Sequence, residues 1–189
     1  MTRLFLIRHG EAQAAWGGED DDPGLSEAGR SQAAAAADAL VSLGPIGLIS
    51  SPMRRCRETA GAYERLVDRR ALIEPRVSEV PTPVGVADRR SWLQENFPWR
   101  GGAPRDWATL DTALQDWRAQ MLSCVQALNA DTAVFSHFIA INVLVGAAME
   151  RSETIVCKPG YASITEFALD AGGLRLVRLG EEMVAGEVR

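Results

Sequence analysis

Lysine is all but missing from this chain of 189 residues: of 20 basic side chains, Lys158 is the single lysine. Alanine runs such as Ala33 to Ala37 point to genome composition as the main cause. Arginine also makes bidentate phosphate contacts that lysine cannot, so some of these cations are candidates for anion binding. A positive balance is missing too. The net charge of −5 argues against a nucleic-acid surface, which demands a dense cationic face. No run of about 18 apolar residues is present, so no membrane span is expected. The four apolar residues Leu4 to Ile7 before Arg8 are too few for a secretory leader. Cysteine is limited to Cys56, Cys124 and Cys157, an odd and widely spaced set without a CxxC pair. That supports neither a disulfide framework nor a zinc site, and a reducing cytoplasm is the expected location. Histidine is scarcer still, with only His9 and His137.

What is present suits an ordinary globular protein, since 47% hydrophobic and 24% charged residues allow both a core and a solvated surface. The length suits one domain spanning 1–189. Leu4-Phe5-Leu6-Ile7 reads as a strand buried on both faces. The stretch Trp16 to Gly24, with the acidic run Glu19 to Asp22, reads as a solvated loop. Ser26 suits an N-cap for an alanine-rich helix running to about Leu43. Ile46 to Ile49 forms a short strand, and Ser51-Pro52 suits a helix start with proline at its first position. Met53, Cys56, Ala60, Tyr63 and Val67 make a buried stripe along that helix, where Cys56 is expected to be inert. An extended piece follows near Ala71 to Val80.

Residues 81–105 read as a small insertion or lid. Its Trp92, Phe97 and Trp99 are expected to pack the segment itself. Trp107 to Leu128 keeps a three-four apolar spacing suited to one long helix. Thr132 to Phe135 is a strand ending in Ser136-His137, and Ile139 to Met149 an apolar helix. A hairpin closes the pattern, with strands Ile164 to Leu169 and Leu174 to Leu179. Strands alternating with helices predict an α/β fold, a three-layer αβα sandwich around a mostly parallel sheet. In such sheets ligands bind beyond the carboxyl ends of the strands.

Three strand ends compare: the first carries Arg8-His9, the second ends in Ser50-Ser51 and opens a helix bearing Arg54, Arg55 and Arg57, and a later one ends in Ser136-His137. Both histidines therefore stand where an apolar strand gives out. Two imidazoles converging with arginines and a helix N-terminus make an anion site. A metal is disfavoured, because no third ligand stands at either strand end and the arginines would repel a cation. A neutral imidazole can instead attack phosphorus, with arginines holding it uncharged and neutralising the phosphoryl oxygens. Gly10 would allow a close approach of backbone and substrate.

The ordered segments LIRHGEA, DPGLSEAGRSQA, SSPMRRCRETA, VFSH and GYASITEF resemble those of the histidine phosphatases, the phosphoglycerate mutase-like superfamily. They cover most of the chain outside residues 81–130. The resemblance implies a metal-independent phosphomonoester hydrolase in which His9 is transiently phosphorylated. Arg8, Arg55 and His137 would bind the phosphoryl group, and Glu79, with Glu74 as fallback, would act as the proton donor. It implies no metal or organic cofactor, and a small phosphorylated substrate as partner. Three positions depart from the family pattern: Ala12 and Ala15 replace phosphate-contacting polar residues, and Phe138 replaces a glycine. Alternative functions are a phosphoglycerate-type mutase, a phosphohistidine protein phosphatase, and a non-catalytic phosphate-binding module.

Overall fold

The structure, a computed structural model, describes residues 1–14, 20 and 22–183. Ala15 and most of the acidic loop, Trp16 to Glu19 and Asp21, lie outside the described residues. Among the described residues six strands form one sheet: β1 (Thr2–Arg8), β2 (Gly47–Ser50), β3 (Leu72–Ile73), β4 (Thr132–Ser136), β5 (Ile164–Asp170) and β6 (Gly173–Arg178). Their order is β3-β2-β4-β1-β5-β6. The run from β3 to β1 is parallel, and the terminal hairpin β5–β6 adds antiparallel strands at one side. Among the described residues five α-helices cover the sheet: α1 (Glu27–Val41), α2 (Arg54–Val67), α3 (Arg89–Asn96), α4 (Thr112–Gln126) and α5 (Phe138–Ala148).

Side-chain alternation in the strands divides the core into two layers. Leu4 and Leu6 of β1 join Val134 and the residues of α4 and α5. Phe5 and Ile7 point the other way, to Ala133, Phe135 and the stripes of α1 and α2. The buried stripe of α1 is made of Gly29, Ala33, Ala36, Ala37 and Leu40, whose small side chains bring that helix close to its neighbours. This is the expected three-layer architecture around a mainly parallel sheet.

Several local expectations are corrected. Ser51-Pro52 does not open α2; the helix starts at Arg54 behind Met53, which makes no side-chain cap bond. Ser51 accepts only a bond from the Met53 N–H at 3.3 Å and is otherwise committed to the site described below. Ala71 to Val80 is extended only at Leu72–Ile73 and then turns through a 3-10 turn, Pro75–Val77, where Pro75 fixes φ. The long helix over Trp107 to Leu128 is interrupted: a 3-10 turn at Trp107–Thr109 ends at Leu110, and α4 begins only at Thr112. Asp106 and Asp111, both N-cap residues, mark those two separate starts. Within 81–105 the chain forms α3, capped by the Asp88 carboxylate on the Ser91 N–H. Phe97 and Trp99 are buried in the main core, as packing residues.

Candidate active site

The register of the sheet sets the site. Arg8 at the end of β1 lies opposite Ser136 of β4, and Ser50 of β2 lies opposite Phe135. The three strand ends that carry Arg8-His9, Ser50-Ser51 and Ser136-His137 therefore meet at one edge, with β4 in the middle. The next residue of each strand turns inward. Arg8, His9, Arg55 and His137 retain at most 8% of their surface. The His9 and His137 rings stand 5.3 Å apart, centroid to centroid, edge to face.

Hydrogen bonds define what each imidazole nitrogen carries. His9 Nδ1 is 2.8 Å from the Gly10 carbonyl oxygen, an atom that can only accept. Nδ1 therefore holds the proton, and Nε2 is left with a lone pair. His137 Nδ1 lies 3.3 Å from the Arg55 guanidinium, which can only donate. Its proton consequently sits on Nε2, which donates to Ser51 Oγ at 2.8 Å. Burial, reinforced by the Arg55 and Arg8 charges, holds His9 well below the usual histidine range. The same causes, with the neighbouring His9, depress His137. Both rings are neutral around pH 7.

Backbone close packing fixes His9 in place. A Cβ on Gly10 would collide with the Gly29 carbonyl, and one on Gly29 with that of Glu11. The approach made possible at Gly10 is thus that of the α1 backbone. Thr59 of α2 ties this segment down, accepting the Gly10 N–H at 3.0 Å while donating to the Arg55 carbonyl at 2.7 Å. The Arg55 side chain is buried, whereas Arg54 and Arg57 on either side are exposed. Arg54 pairs with Glu58 at 2.7 Å.

Glu79 reaches the site from the chain after the 3-10 turn. Ser136 Oγ donates to the Val77 carbonyl at 2.6 Å and so holds that turn against the end of β4. The Glu79 carboxylate accepts the Ile139 N–H at 3.2 Å, in the first turn of α5, and its own neighbour's Val80 N–H at 3.0 Å. Burial nevertheless pushes its pKa up, against these bonds and the nearby Arg55 charge. Glu74, the fallback, is bound to the exposed Arg76 at 2.7 Å and held down to about 2, a poor proton donor at neutral pH. Phe138 is buried, with its ring 5.1 Å from the Arg8 guanidinium carbon. Ala12 sits in a short bridge to Leu25, with no polar atom on its side chain.

Sequence reasoning missed three residues. Ser51, which in sequence suits a helix cap, accepts from His137; Thr59, inside the SSPMRRCRETA segment, supports Gly10; Tyr161, inside GYASITEF, stacks on Arg8 at 4.0 Å. Cys56 is buried, donates to the Ser136 carbonyl at 3.2 Å, and has its thiol pKa pushed up by burial, which suits inertness. Among the described residues no group of three or more His, Cys, Asp or Glu side chains is placed to hold a metal ion. Among them, too, no helix is long and apolar enough to cross a membrane.

The chain is thus an α/β protein with two histidines and two buried arginines at the carboxyl edge of a mainly parallel sheet. The family model for the histidine phosphatase superfamily (branch 1) matches residues 4–182, and the chain belongs to that superfamily. It is 29% identical over 167 residues to a probable phosphoglycerate mutase of Photorhabdus laumondii, covering 79% of this chain and 75% of that one. It is 35% identical over 82 residues to a glucosyl-3-phosphoglycerate phosphatase of Mycolicibacterium vanbaalenii, a match over 42% of this chain and 36% of the relative. The solved structure of a mycobacterial glucosyl-3-phosphoglycerate phosphatase superposes with a TM-score of 0.73 at 22% identity, covering 97% of this chain and 100% of that one. At that identity the likeness is one of fold.

Proposed function

We propose that this protein is a phosphatase that hydrolyses small phosphomonoesters through a phosphohistidine on His9, without a metal. The observation that carries the reading is the tautomer of His9: with Nδ1–H given to Gly10, the Nε2 lone pair is free beside two guanidinium groups. Nε2 attacks phosphorus, and the bond from phosphorus to the ester oxygen breaks. The departing oxygen takes its proton from the Glu79 carboxyl group, whose raised pKa suits an acid. Water then attacks the phosphohistidine and gives a proton to the Glu79 carboxylate. The P–N bond breaks, and its electron pair returns to Nε2.

Arg8 and Arg55 neutralise the non-bridging oxygens throughout. His137, its Nε2–H taken by Ser51, turns Nδ1 toward the same space as Arg55. As a phosphate dianion draws the Arg55 guanidinium off Nδ1, uptake of a proton from water at that nitrogen makes it a further donor. The fold likeness to a phosphatase and the sequence likeness to another support hydrolysis. The likeness to a probable mutase favours a second reading, in which the phosphoryl group passes from His9 to a second hydroxyl.

The test is phosphate release from aryl, sugar, nucleotide and acid phosphates with chelator present, for wild type, His9→Ala and Glu79→Gln. Wild-type turnover should resist the chelator and vanish in His9→Ala. Glu79→Gln should lose roughly 100-fold or more on alkyl phosphates and much less on activated aryl esters, whose leaving groups need little protonation. Binding of phosphorylated compounds without release would instead identify a binding module.

A further inference from the structure

Three described residues other than glycine have a positive φ: Asp68, Glu150 and Ala162. Asp68 is the C-cap of α2, and Glu150 follows the C-cap of α5, where a left-handed residue commonly ends a helix. Ala162, at φ 54°, ends no helix. A Cβ makes that conformation unfavourable, and such strain persists only where surrounding bonds enforce it. Here they run to the site itself. The Ala162 N–H donates to the His9 carbonyl at 3.3 Å, and the Arg8 N–H to the Ser163 carbonyl at 3.2 Å. The other side of the turn is held by the chain near residue 181. The Gly160 N–H donates to the Glu181 carbonyl at 2.7 Å, and the Met183 N–H to the Lys158 carbonyl at 2.8 Å.

This turn carries Tyr161, whose ring lies over the Arg8 guanidinium with its centroid 4.0 Å from the central carbon. Phe138, at 5.1 Å, is a second aromatic neighbour. One guanidinium nitrogen of Arg8 is already committed, donating to the Pro159 carbonyl at 2.8 Å and lying 3.0 Å from Met183 Sδ. The buried Nε has no hydrogen-bond partner, and a phosphoryl oxygen would satisfy it. A planar cation with one edge anchored still rotates about its long stem unless its face is covered. Aromatic stacking supplies that cover and is strongest where water is excluded.

We propose that Tyr161 is a positioning residue of the phosphate site: its ring, held by the strained turn at Ala162, sets the plane in which Arg8 offers its unpaired edge to the phosphoryl group. Arg8 handles phosphate only under the function proposed above, so the role of Tyr161 stands on that reading.

The test compares wild type, Tyr161→Leu and Tyr161→Phe, with orthovanadate titrated calorimetrically as the probe and KM and kcat measured for an aryl phosphate. Tyr161→Leu should weaken vanadate binding about tenfold and raise KM in parallel, and Tyr161→Phe should stay within about twofold of wild type. If Tyr161→Leu fails to fold, Tyr161→Met gives the same ring-free comparison. Wild-type vanadate affinity in a folded ring-free variant overturns the role of Tyr161 alone. Equal losses in Leu and Phe also overturn it, because the effect would then belong to the hydroxyl. A wild type that binds no vanadate overturns the phosphate-site reading, and Tyr161's role with it.

Discussion

At the residue scale the site depends on two imidazoles kept neutral by their surroundings. Burial and the charges of Arg55 and Arg8 depress both. The linkage to stability has a definite sign. Above about pH 6.5 the unfolded histidines are neutral too, and nothing is lost. As the pH falls below that value the unfolded chain takes up protons that the folded one refuses. Stability then declines until the depressed folded pKa is reached. Each histidine contributes a slope of about 1.4 kcal/mol per pH unit in that window. Between about pH 7.5 and about pH 5.5, wild type should lose about 1.4 kcal/mol more than His9→Gln, because the variant lacks one such proton. Urea unfolding at the two pH values measures this, and equal losses would mean that His9 is not held neutral.

At the element scale, the decisive contact is between the end of β1 and the first turn of α1. Ser26 caps α1 by accepting the Gly29 N–H at 2.9 Å, and its hydroxyl donates to the Glu11 carboxylate at 2.8 Å. The Ser26 N–H returns to the Glu11 carbonyl at 2.9 Å. The two backbones close on each other because Gly10 and Gly29 have no side chains. Helix propensity favours Gly29→Ala by about 1 kcal/mol. Steric overlap with the Glu11 carbonyl works the other way and is larger. Gly29→Ala should therefore lower stability by about 2 kcal/mol net and reduce turnover through displacement of His9. Thermal or urea unfolding together with an aryl phosphatase assay checks both, and a stabilised variant of full activity would show that propensity prevails.

At the scale of the whole molecule, the segment 81–105 is built into the larger of the two core layers. Phe97 is fully buried and meets Trp92 and Trp107 edge to face, at 5.8 and 5.7 Å. Thr154, after α5, bonds back to it twice: its Oγ1 donates to the Asn96 carbonyl at 2.8 Å and its N–H to the Arg105 carbonyl at 2.7 Å. Phe97→Ala should cost about 3–5 kcal/mol in urea unfolding, as in other emptied aromatic core sites. A segment lying over the site only as a mobile cover would lose less than about 1 kcal/mol.

Much of this protein is written locally. The apolar run at Leu4 to Ile7, the Ser26 cap, the terminal hairpin and the residues Arg8, His9, Arg55 and His137 are legible because strand ends, caps and short motifs involve neighbours in sequence. The break between Trp107–Thr109 and α4 was not legible, since both pieces keep one apolar spacing across the gap. Nor was the task of Ser51, because a serine before proline fits a helix cap as well as it fits a bond to an imidazole 86 residues away. Local sequence places Arg8, His9 and His137 at strand ends and Arg55 at a helix start. The folded chain alone sets which nitrogen of each histidine carries the proton, that Glu79 rather than Glu74 accepts the Ile139 N–H at the start of α5 beside them, and that Tyr161 lies on Arg8. The physical reason is that tautomer, desolvation and stacking are set by partners the chain brings together across three strand ends, where spacing along the sequence carries no information.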